Sequence, residues 1–571
     1  GIGIARALGH EWTLASVGAV LLAVVMTWPT LRYPRHTIPQ DIWDPTLQAW
    51  QMAWSGHILS TDPARLWHSN AFYPESFSFA FSDTLLGYAP AGLIGEGVTA
   101  ALLRYNIIFV LAHALAFLGA YALVRQLGAG RTGAAVAGAA FAYAPWRLAQ
   151  AGHLHVISTG GIALALAMLA RGHGWSLRHG YRPERRNAGW ALAGWLVAAW
   201  QISLGFGIGL PFGYALAAIV LVVAVMWAVR RLVFRAANPI GGRLLVTDLV
   251  GGTIFAVTGA LLSLPYFRVA ELHPYARRTV ADLDLYSAPI SAFFVAPPES
   301  RLWGALHADA RAGLPWHPEQ TLLAGFVLYG LAIAGLVFSI WTVRQRLLLF
   351  AGVVVTIALA MGTQFFGGTL TYLPLYRTLP GWDGLRTPGR LVLWTTLLLG
   401  VLAAGAVCAF IERARESRST YAPYGLGFWL RLATLIPLAL VLVEGLNRTP
   451  HPIVPAPPQA LRTAQAPVLV LPSDPFTDNV AMLWTTDRFP ALVNGNSGFE
   501  TRRLNQLREV TQTFPDVNSV DYLRELGVKT VIVLRVRPDG AKLPPPAETS
   551  AEELGIERED TPDAVVFRLS S

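Results

Sequence analysis

Two closely spaced aspartates, Asp41 and Asp44, follow the first long apolar stretch of the chain, in the segment QDIWDPTLQAWQMAW. A carboxylate at a membrane edge can act as a general base, which takes a proton from a hydroxyl group as that oxygen attacks. The dipeptide Asp44-Pro45 also has an ordinary explanation, because aspartate caps free helical N–H groups and proline fits the first helical position. Both roles are compatible. Trp50, in the same segment, is a candidate for contact with a substrate.

Basic side chains lie near the predicted outer ends of other apolar stretches, where ionisable groups are costly and tend to be functional. His153 and His155 form an HLH turn after Arg147, and this group suits the binding of a phosphate by charge-assisted hydrogen bonds. Arg386 and Arg390, in GLRTPGR, suit a phosphate or diphosphate group. The alternatives are an interfacial turn that merely prefers polar residues and ordinary snorkelling of arginine.

Weaker candidates are Glu319 in HPEQTLLAG, Asp83 in FSDTLLG, and the pair Arg277 and Arg278. Glu319 also suits a helix N-terminus, where negative charge is favoured. Neither cysteine nor regular histidine spacing completes a four-ligand set, so the residues predict no zinc site. The chain has no GxxxxGK[ST], HExxH or GxSxG motif in a fitting context, which argues against nucleotide-driven, zinc-protease and serine-hydrolase activities.

Composition indicates a membrane protein. The chain has 571 residues, of which 53% are hydrophobic and 14% charged, whereas charged residues make up about 25% of an ordinary soluble domain. Apolar runs that approach the roughly 20 residues needed to cross a bilayer predict about eleven spans. They lie near 12–30, 106–127, 132–147, 155–171, 188–204, 208–229, 245–266, 320–342, 346–361, 389–411 and 427–446.

The distribution of arginine predicts the orientation of these spans. With a cytoplasmic N-terminus, every short inside loop is basic, as the positive-inside rule requires. The C-terminal domain is then extracytoplasmic, and we expect a multi-pass protein of a bacterial plasma (inner) membrane. The net charge of +9 follows from this topology. Because the cations are spread over separate loops, we expect the lipid bilayer and not a nucleic acid as a partner.

The sequence predicts an all-α polytopic membrane protein with a small C-terminal extracytoplasmic α/β domain. The predicted membrane module covers 1–446, a proline-rich and extended linker covers 447–466, and the α/β domain covers 467–571. Long outer loops are expected at 31–105, 267–318 and 362–388, and long loops are usually functional. In the first loop, Leu47, Trp50, Trp54 and Ile58 share one helical stripe, which predicts a helix lying along the outer membrane surface.

Several segments, taken in order, resemble the bacterial polytopic glycosyltransferases of the GT-C superfamily over about residues 12–412. The tail segment LVNGNSGFE resembles the small domain that follows the spans in many members. The segments before the tail are DIWDPTLQAWQMAW, NAFYP, FSDTLLGYAPAG, FAYAPWRLAQAGHLH, LYSAPISAFFVAP, PEQTLLAG and LPLYRTLPGWDGLRTPGRL. Each segment is loosely defined, but their order is hard to obtain by chance.

The resemblance implies an inverting transferase that moves a sugar from a polyprenyl-phosphate donor to a glycan, lipid or protein acceptor on the outer side. It implies that the base is an acid of the first outer loop, here Asp44 or Asp41. The spacing DxxDP departs from the adjacent acids of protein mannosyltransferases, which leaves open which aspartate is the base and whether a divalent cation, Mg or Mn, takes part. His153, His155, Arg386 or Arg390 would then stabilise the leaving phosphate.

Two other functions stay open. A flippase or transporter of lipid or polysaccharide would have internal repeats and charged residues near the membrane midplane. The sequence has no convincing repeat, and its predicted spans are nearly free of acidic residues. A non-catalytic relative with the same fold would bind a polyprenyl-phosphate sugar without turning it over.

Overall fold

A computed structural model describes residues 9–235, 240–421, 427–546 and 551–569, without the side chains of 418–421. The predicted membrane module therefore lies within the described residues except for 1–8, 236–239 and 422–426. The predicted tail domain does so except for 547–550, 570 and 571.

Most of the described chain is helical. In chain order the helices are α1 (Glu11–Met26), α2 (Asp44–Thr61), α3 (Gly97–Leu127), α4 (Arg131–Tyr143), α5 (Trp146–Ala149), α6 (Leu154–Ile157), α7 (Gly160–Gly172), α8 (Ala188–Ser203), α9 (Phe206–Leu232), α10 (Gly242–Leu272), α11 (Val280–Tyr286), α12 (Ala308–Ala312), α13 (His317–Gln320), α14 (Phe326–Val337), α15 (Val343–Ala360), α16 (Tyr372–Thr378), α17 (Val392–Tyr421), α18 (Gly427–Thr434), α19 (Ile436–Glu444), α20 (Pro475–Trp484), α21 (Arg502–Val510) and α22 (Val517–Glu525).

The strands form two sheets. A short antiparallel hairpin pairs β1 (Trp175–Ser176) with β2 (Gly180–Tyr181). The second sheet contains β3 (Val468–Leu471), β4 (Thr530–Leu534), β5 (Ile556–Asp560) and β6 (Ala564–Leu569), in the order β3-β4-β6-β5.

Every predicted apolar run coincides with a helix or with a pair of short helices. Among the described residues, seven helical segments are long and apolar enough to cross a membrane. They are Gly97–Leu127, Leu154–Gly172, Phe206–Leu232, Gly242–Leu272, Val343–Ala360, Pro388–Ser417 and Gly427–Glu444. Helices α1 and α14 are apolar but shorter. The chain is thus a multi-pass membrane protein, and the number of eleven spans stays a prediction.

The chain divides into two compact units. The first, which we call the span unit, comprises 1–28, 109–261 and 278–449. The second, the loop-and-tail unit, comprises 29–108, 262–277 and 450–571. The predicted first outer loop therefore belongs to the same compact unit as the predicted tail domain.

The span unit is built around α17. This helix packs against α4, α14 and α15, and 89% of the most apolar 18-residue window within Pro388–Ser417 is buried. Small residues allow close helix packing elsewhere in the unit. A Cβ atom on Gly160, the first residue of α7, would overlap the backbone of Leu115 in α3. Close approach of this kind is typical of helices in a membrane.

The tail sheet is mixed. Strand β3 pairs parallel with β4, while β6 pairs antiparallel with both β4 and β5. The central strands are almost entirely buried, as their β-branched sequences require. The β-branched segments PVLVLP, VKTVIVLR and AVVFRL predict strands at 467–472, 528–535 and 564–569, and β3, β4 and β6 confirm them. Strand β5 was not predicted, because its sequence IERED is charged and lies at the sheet edge.

Helix α2 lies within the loop-and-tail unit and packs against α20. Of the predicted stripe, Leu47, Trp50, Trp54 and Ile58 are 7%, 2%, 2% and 3% exposed. The helix was predicted correctly, but its apolar stripe packs against protein and not along a membrane surface. The reason is that the tail supplies an apolar partner that is distant in sequence.

Candidate functional site

The segment before α2 is held by the proline-rich segment that precedes the tail. The backbone N–H of Ile38 donates to the carbonyl of Pro452, and that of Gln40 donates to Pro450. Thr37 and Ile453 form an antiparallel bridge. Residues 36–40 are therefore paired with an extended strand-like segment immediately before Asp41. This pairing fixes the position of the backbone just before Asp41.

Asp41 and Asp44 have different local roles. Asp41 is exposed, and its Oδ1 accepts a hydrogen bond of 2.9 Å from the backbone N–H of Trp43. Asp44 is half-buried and is the first residue of α2, with Pro45 after it. The N-cap is Trp43, which makes no side-chain capping bond. Asp44 is thus the first residue of the helix and not its N-cap. The capping role that the sequence suggested for Asp44 is therefore wrong.

Asp44 begins a polar face of α2. Gln48 and Gln51 follow it by four and seven residues, so all three side chains project from one side of the helix. Gln48 is 4% exposed and Gln51 is 3% exposed. Burial of amide side chains is costly unless they are hydrogen-bonded. We call Asp44, Gln48 and Gln51 the polar face.

Both glutamines of the polar face are hydrogen-bonded. The hydroxyl of Tyr105 donates to Gln48 Oε1 over 3.4 Å. The Nε2 group of Gln51 donates to the backbone carbonyl of Asp83 at 2.8 Å and to Ser82 Oγ at 3.3 Å. The Tyr105 hydroxyl also lies within electrostatic reach of Asp41 and Asp44.

The loop at Asp83 meets the tail and α10 within the same unit. Ser497 Oγ donates to Ser82 Oγ at 2.8 Å, and the Tyr266 hydroxyl donates to the Ser82 carbonyl at 3.0 Å. Ser497 lies in LVNGNSGFE, the tail segment with the family resemblance. The structure thus places Asp83 and this tail segment at the same end of the polar face.

Trp50 has a structural role in the loop-and-tail unit. It is 2% exposed, and its indole N–H donates to Asn70 Oδ1 at 3.1 Å. Asn70 in turn donates to Thr485 Oγ1 at 3.0 Å. Packing and hydrogen bonding therefore account for this residue, and a contact with substrate stays a prediction.

In the span unit, four of the predicted residues come together. Arg390 makes a two-pronged ion pair with Glu319, with 2.7 Å between Nη2 and Oε1 and 3.2 Å between Nε and Oε2. Arg390 Nη1 also lies 3.4 Å from His155 Nε2. Because a guanidinium only donates, His155 accepts through Nε2.

His153 joins this group through Gln150. Its Nδ1 lies 2.7 Å from Gln150 Oε1, and Gln150 Nε2 donates to Glu319 Oε2 at 3.2 Å. The His153 and His155 rings are 5.8 Å apart. We call His153, Gln150, Glu319, Arg390 and His155 the outer network.

The charge of Arg390 controls the ionisation of Glu319. Burial by itself raises the pKa of the Glu319 carboxyl, but the ion pair and hydrogen bonds with Arg390, together with His153 and Gln150, outweigh that effect. The pKa of Glu319 therefore lies below its ordinary value. The carboxylate keeps Arg390 in one orientation.

Arg147 is held separately from the outer network. It is 2% exposed, and its guanidinium donates to the carbonyl of Phe141 and to Thr159 Oγ1. It also stacks on the Phe141 and Trp146 rings, 4.7 Å from each centroid. These contacts tie the end of α4 to the start of α7. A positioning role explains them, and a contact with phosphate stays a prediction.

Arg386 lies near a second guanidinium. It is half-buried, and its guanidinium lies 5.2 Å from the centroid of the Tyr286 ring. The pKa of Arg278 is lowered, first by burial and then by the positive charge of Arg386. The carboxylate of Asp282 lies within electrostatic reach of both guanidinium groups, so the region carries two positive charges and one negative charge.

A narrow apolar crevice reaches the outer network. Its walls include Ile208, Tyr372, Trp382 and Trp394, and Arg390 lines it as well. Leu385 and Thr387, on either side of Arg386 in the chain, also line it. Its volume is about 10 Å³, roughly enough for one water molecule, so it is an apolar surface beside Arg390 and not a formed ligand pocket.

The residues do not fit a tightly held divalent cation. Within 9–235, 240–421, 427–546 and 551–569, no group of three or more His, Cys, Asp or Glu side chains could hold a metal ion. Mg and Mn prefer several oxygen ligands, and Asp41 and Asp44 supply two carboxylates. A requirement for Mg or Mn stays a prediction.

Sequence reasoning missed Gln48, Gln51, Tyr105 and Ser497. The two glutamines had a readable signal, since they follow Asp44 at helical spacing in an otherwise apolar segment. Tyr105 and Ser497 had none, because their contacts join residues 57 and 415 positions apart.

Comparison with known proteins rests on structure alone, since no protein-family model and no curated protein matches the chain. The arabinofuranosyltransferase AftD from Mycobacteria is similar with a TM-score of 0.50 and 17% identity, over 98% of this chain and 40% of AftD. The archaeal oligosaccharyltransferase AglB from Archaeoglobus fulgidus has a TM-score of 0.47 and 13% identity, over 92% and 69% of the two chains. ArnT from Cupriavidus metallidurans has a TM-score of 0.36 and 14% identity, over 99% of each chain.

At these identities the similarity concerns the fold. The chain is a polytopic helical membrane protein with the GT-C fold and a small C-terminal sheet domain. It spans less than half of the length of AftD.

Proposed function

We propose that the chain is an inverting glycosyltransferase that moves a sugar from a polyprenyl-phosphate donor to a hydroxyl group of an extracytoplasmic glycan, lipid or protein. The observation that carries this proposal is the polar face, in which a half-buried carboxylate heads two buried, hydrogen-bonded amides in a GT-C fold. The name of AftD, an arabinofuranosyltransferase, describes a glycosyltransferase.

Asp44 is the proposed base. As the acceptor oxygen bonds to the anomeric carbon of the sugar, its proton passes to the Asp44 carboxylate. The bond between that carbon and the phosphate oxygen breaks, and its electron pair leaves with polyprenyl phosphate. Attack opposite the departing phosphate inverts the anomeric carbon. A positioned base of this kind contributes about 10² to 10⁴ in rate.

Asp44 is favoured over Asp41 by its surroundings. Asp41 is exposed and already accepts from the Trp43 backbone. Asp44 projects from the same side of α2 as Gln48 and Gln51, whose hydrogen bonds hold this side of the helix in place.

Arg386 and Arg390 are the proposed partners of the donor phosphate. Arg390 lies beside apolar side chains, and Glu319 orients its guanidinium. Negative charge grows on the phosphate as the sugar departs, so a preorganised guanidinium stabilises the transition state more than the bound donor. His153 and His155 hold the network around Arg390.

A transfer assay tests the proposal and separates it from the alternatives. Purified protein in lipid vesicles is given a panel of polyprenyl-phosphate sugars labelled in the sugar, together with envelope extract as acceptor. The proposal predicts that label moves into a glycan, lipid or protein fraction while polyprenyl phosphate appears. Movement of intact donor between leaflets would indicate a flippase, and donor binding without consumption would indicate a non-catalytic relative.

A further inference from the structure

A large cavity lies in the span unit, apart from the outer network. Its volume is about 1090 Å³, and it is lined by residues of α1, α3, α7 and the β1–β2 hairpin. These are the N-terminal end of α1 and the C-terminal ends of α3 and α7. The arginine distribution predicts that this end is cytoplasmic.

Two helices contribute matching faces to the cavity. On α3, the lining residues Leu118, Ala122 and Arg125 are spaced by four and three positions. On α7, Leu164, Met168 and Arg171 repeat that spacing. Residues with this spacing share one side of a helix. Each wall therefore runs from apolar side chains within the span to an arginine at its end.

The polar end of the cavity carries excess positive charge. Its carboxylate, Glu11, lies 2.6 Å from Nε of Arg125 and 3.4 Å from Nε of Arg131. Arg171, Arg182 and Arg185 also line the cavity. Over the described part of the chain, these three have no carboxylate partner within 4.0 Å.

The surroundings of His179 also indicate a positive potential at this end of the cavity. The pKa of His179, a lining residue of the hairpin, is lowered by partial burial and then by the charges of Arg182, Arg178 and Arg185. The Arg171 guanidinium lies 4.7 Å from the centroid of the Trp190 ring, and Trp12 lines the other side. Tryptophan is enriched at the level of lipid headgroups.

We propose that this cavity binds an anionic phospholipid, with the headgroup phosphate among Arg171, Arg182 and Arg185 and an acyl chain along the apolar faces of α3 and α7. Arginine is well suited to phosphate oxygens, because its planar donors bind them in pairs. Basic pockets between membrane helices on the cytoplasmic side suit anionic headgroups.

The lining favours a membrane lipid over a soluble phosphate compound. A soluble anion would use the arginines and leave Leu118, Leu164 and Met168 facing water. A phospholipid covers both parts, and the apolar part lies on α3 and on the segment Leu154–Gly172, which contains α7; both are long enough to cross the bilayer. The volume suits a headgroup with part of a chain.

The test measures phosphatidylglycerol retained by the purified protein. Protein is reconstituted in phosphatidylcholine nanodiscs with a minor share of phosphatidylglycerol, and bound lipids are counted by native mass spectrometry. The unmodified chain is expected to retain phosphatidylglycerol preferentially. Combined Arg171→Gln, Arg182→Gln and Arg185→Gln replacement is expected to lower its affinity about fivefold for each arginine, which is about 1 kcal/mol each.

The matched control removes three charges elsewhere. Arg230, Arg231 and Arg344 are exposed and do not line the cavity, so their combined replacement by Gln is expected to leave retention unchanged. Equal loss in both triple variants would overturn the proposal, because it would indicate a general charge effect.

A second variant tests the apolar part with all arginines present. Met168→Trp narrows the cavity beside the acyl chain and is expected to lower phosphatidylglycerol retention while glycerol phosphate binding stays weak. If glycerol phosphate, which has no acyl chain, binds as tightly as phosphatidylglycerol, the ligand is a soluble phosphate compound and the proposal is wrong. Equal retention of phosphatidylcholine and phosphatidylglycerol by the unmodified chain would also refute it.

Discussion

Arg390 and Glu319 are joined by a two-pronged ion pair although they lie 71 positions apart in the chain. The side chain of Glu319 is 6% exposed and that of Arg390 is 17% exposed. Because both charges are largely removed from water, each depends on the other, and loss of one leaves a costly unpaired charge. The same pair orients Arg390 at the apolar crevice.

This dependence predicts the effect of pH on stability. The pKa of Glu319 is lowered in the folded chain, so the ionised carboxylate stabilises the fold above the ordinary glutamate pKa of 4.5. That stabilisation is lost as pH falls below this value. Thermal unfolding in nanodiscs is expected to show a steady midpoint from pH 7 down to about pH 5 and a falling midpoint below pH 4.5 for the unmodified chain.

Glu319→Gln is the comparison for that experiment. It is expected to be less stable at pH 7 and to lose less on acidification, since its amide does not titrate. An unchanged pH slope in this variant would show that other groups cause the acid sensitivity.

Arg386 is expected to affect donor binding more than folding. Arg386→Gln removes a half-buried cation beside the crevice, and a hydrogen bond to a charged group contributes about 1.5–3 kcal/mol. The KM for the polyprenyl-phosphate sugar should therefore rise by roughly 10- to 100-fold. The exposed Arg377 supplies the control, and Arg377→Gln should leave KM unchanged. A rise in KM of the same size in both variants would argue against a specific phosphate contact.

The contact between α3 and α7 predicts a packing defect. Gly160→Ala places a methyl group against the Leu115 backbone, and such overpacking costs about 1–3 kcal/mol. The thermal unfolding midpoint should fall. Gly330→Ala in α14 is the control, because nothing lies within 4 Å of the added Cβ. Equal midpoints for the two variants would show that α3 and α7 separate easily.

The buried carboxylate of Asp478 links several groups of the tail. Asp478 is fully buried and lies 2.9 Å from Nη2 of Arg508, while its Oδ1 accepts from Asn494 at 2.7 Å. Asp478→Ala is expected to destabilise the tail by about 3–5 kcal/mol. Hydrogen exchange at Val470, whose N–H donates to Asn494, measures this loss. Asp560→Ala, which removes an exposed pair with Arg535, should change exchange little.

The apolar helices were predictable because their signal is local. Long runs of apolar residues have one stable form in a bilayer, a helix with its own backbone hydrogen bonds. The buried strands at 468–471 and 564–569 were equally predictable from their β-branched residues. Strand β5 was not predictable, because its own residues do not favour a strand. It is a strand because it pairs with β6.

The candidate site was predictable in its residues but not in its contacts. Asp44, Glu319, His153, His155 and Arg390 were selected by type and position in the chain. Their partners depend on pairing over long sequence separations, as between residues 36–40 and 450–454. Arg147 shows the limit of such reasoning, because its position at a span end fits a phosphate site while its contacts show helix-to-helix bonding.

The most direct test of the proposed mechanism is sugar transfer by Asp44→Asn, with Asp41→Asn as the matched control. Both variants keep the size of the side chain and remove a charge, and both should unfold at the temperature of the unmodified chain. The mechanism predicts that Asp44→Asn lowers kcat by about 10² to 10⁴ while Asp41→Asn retains most activity. Full activity in Asp44→Asn would contradict it.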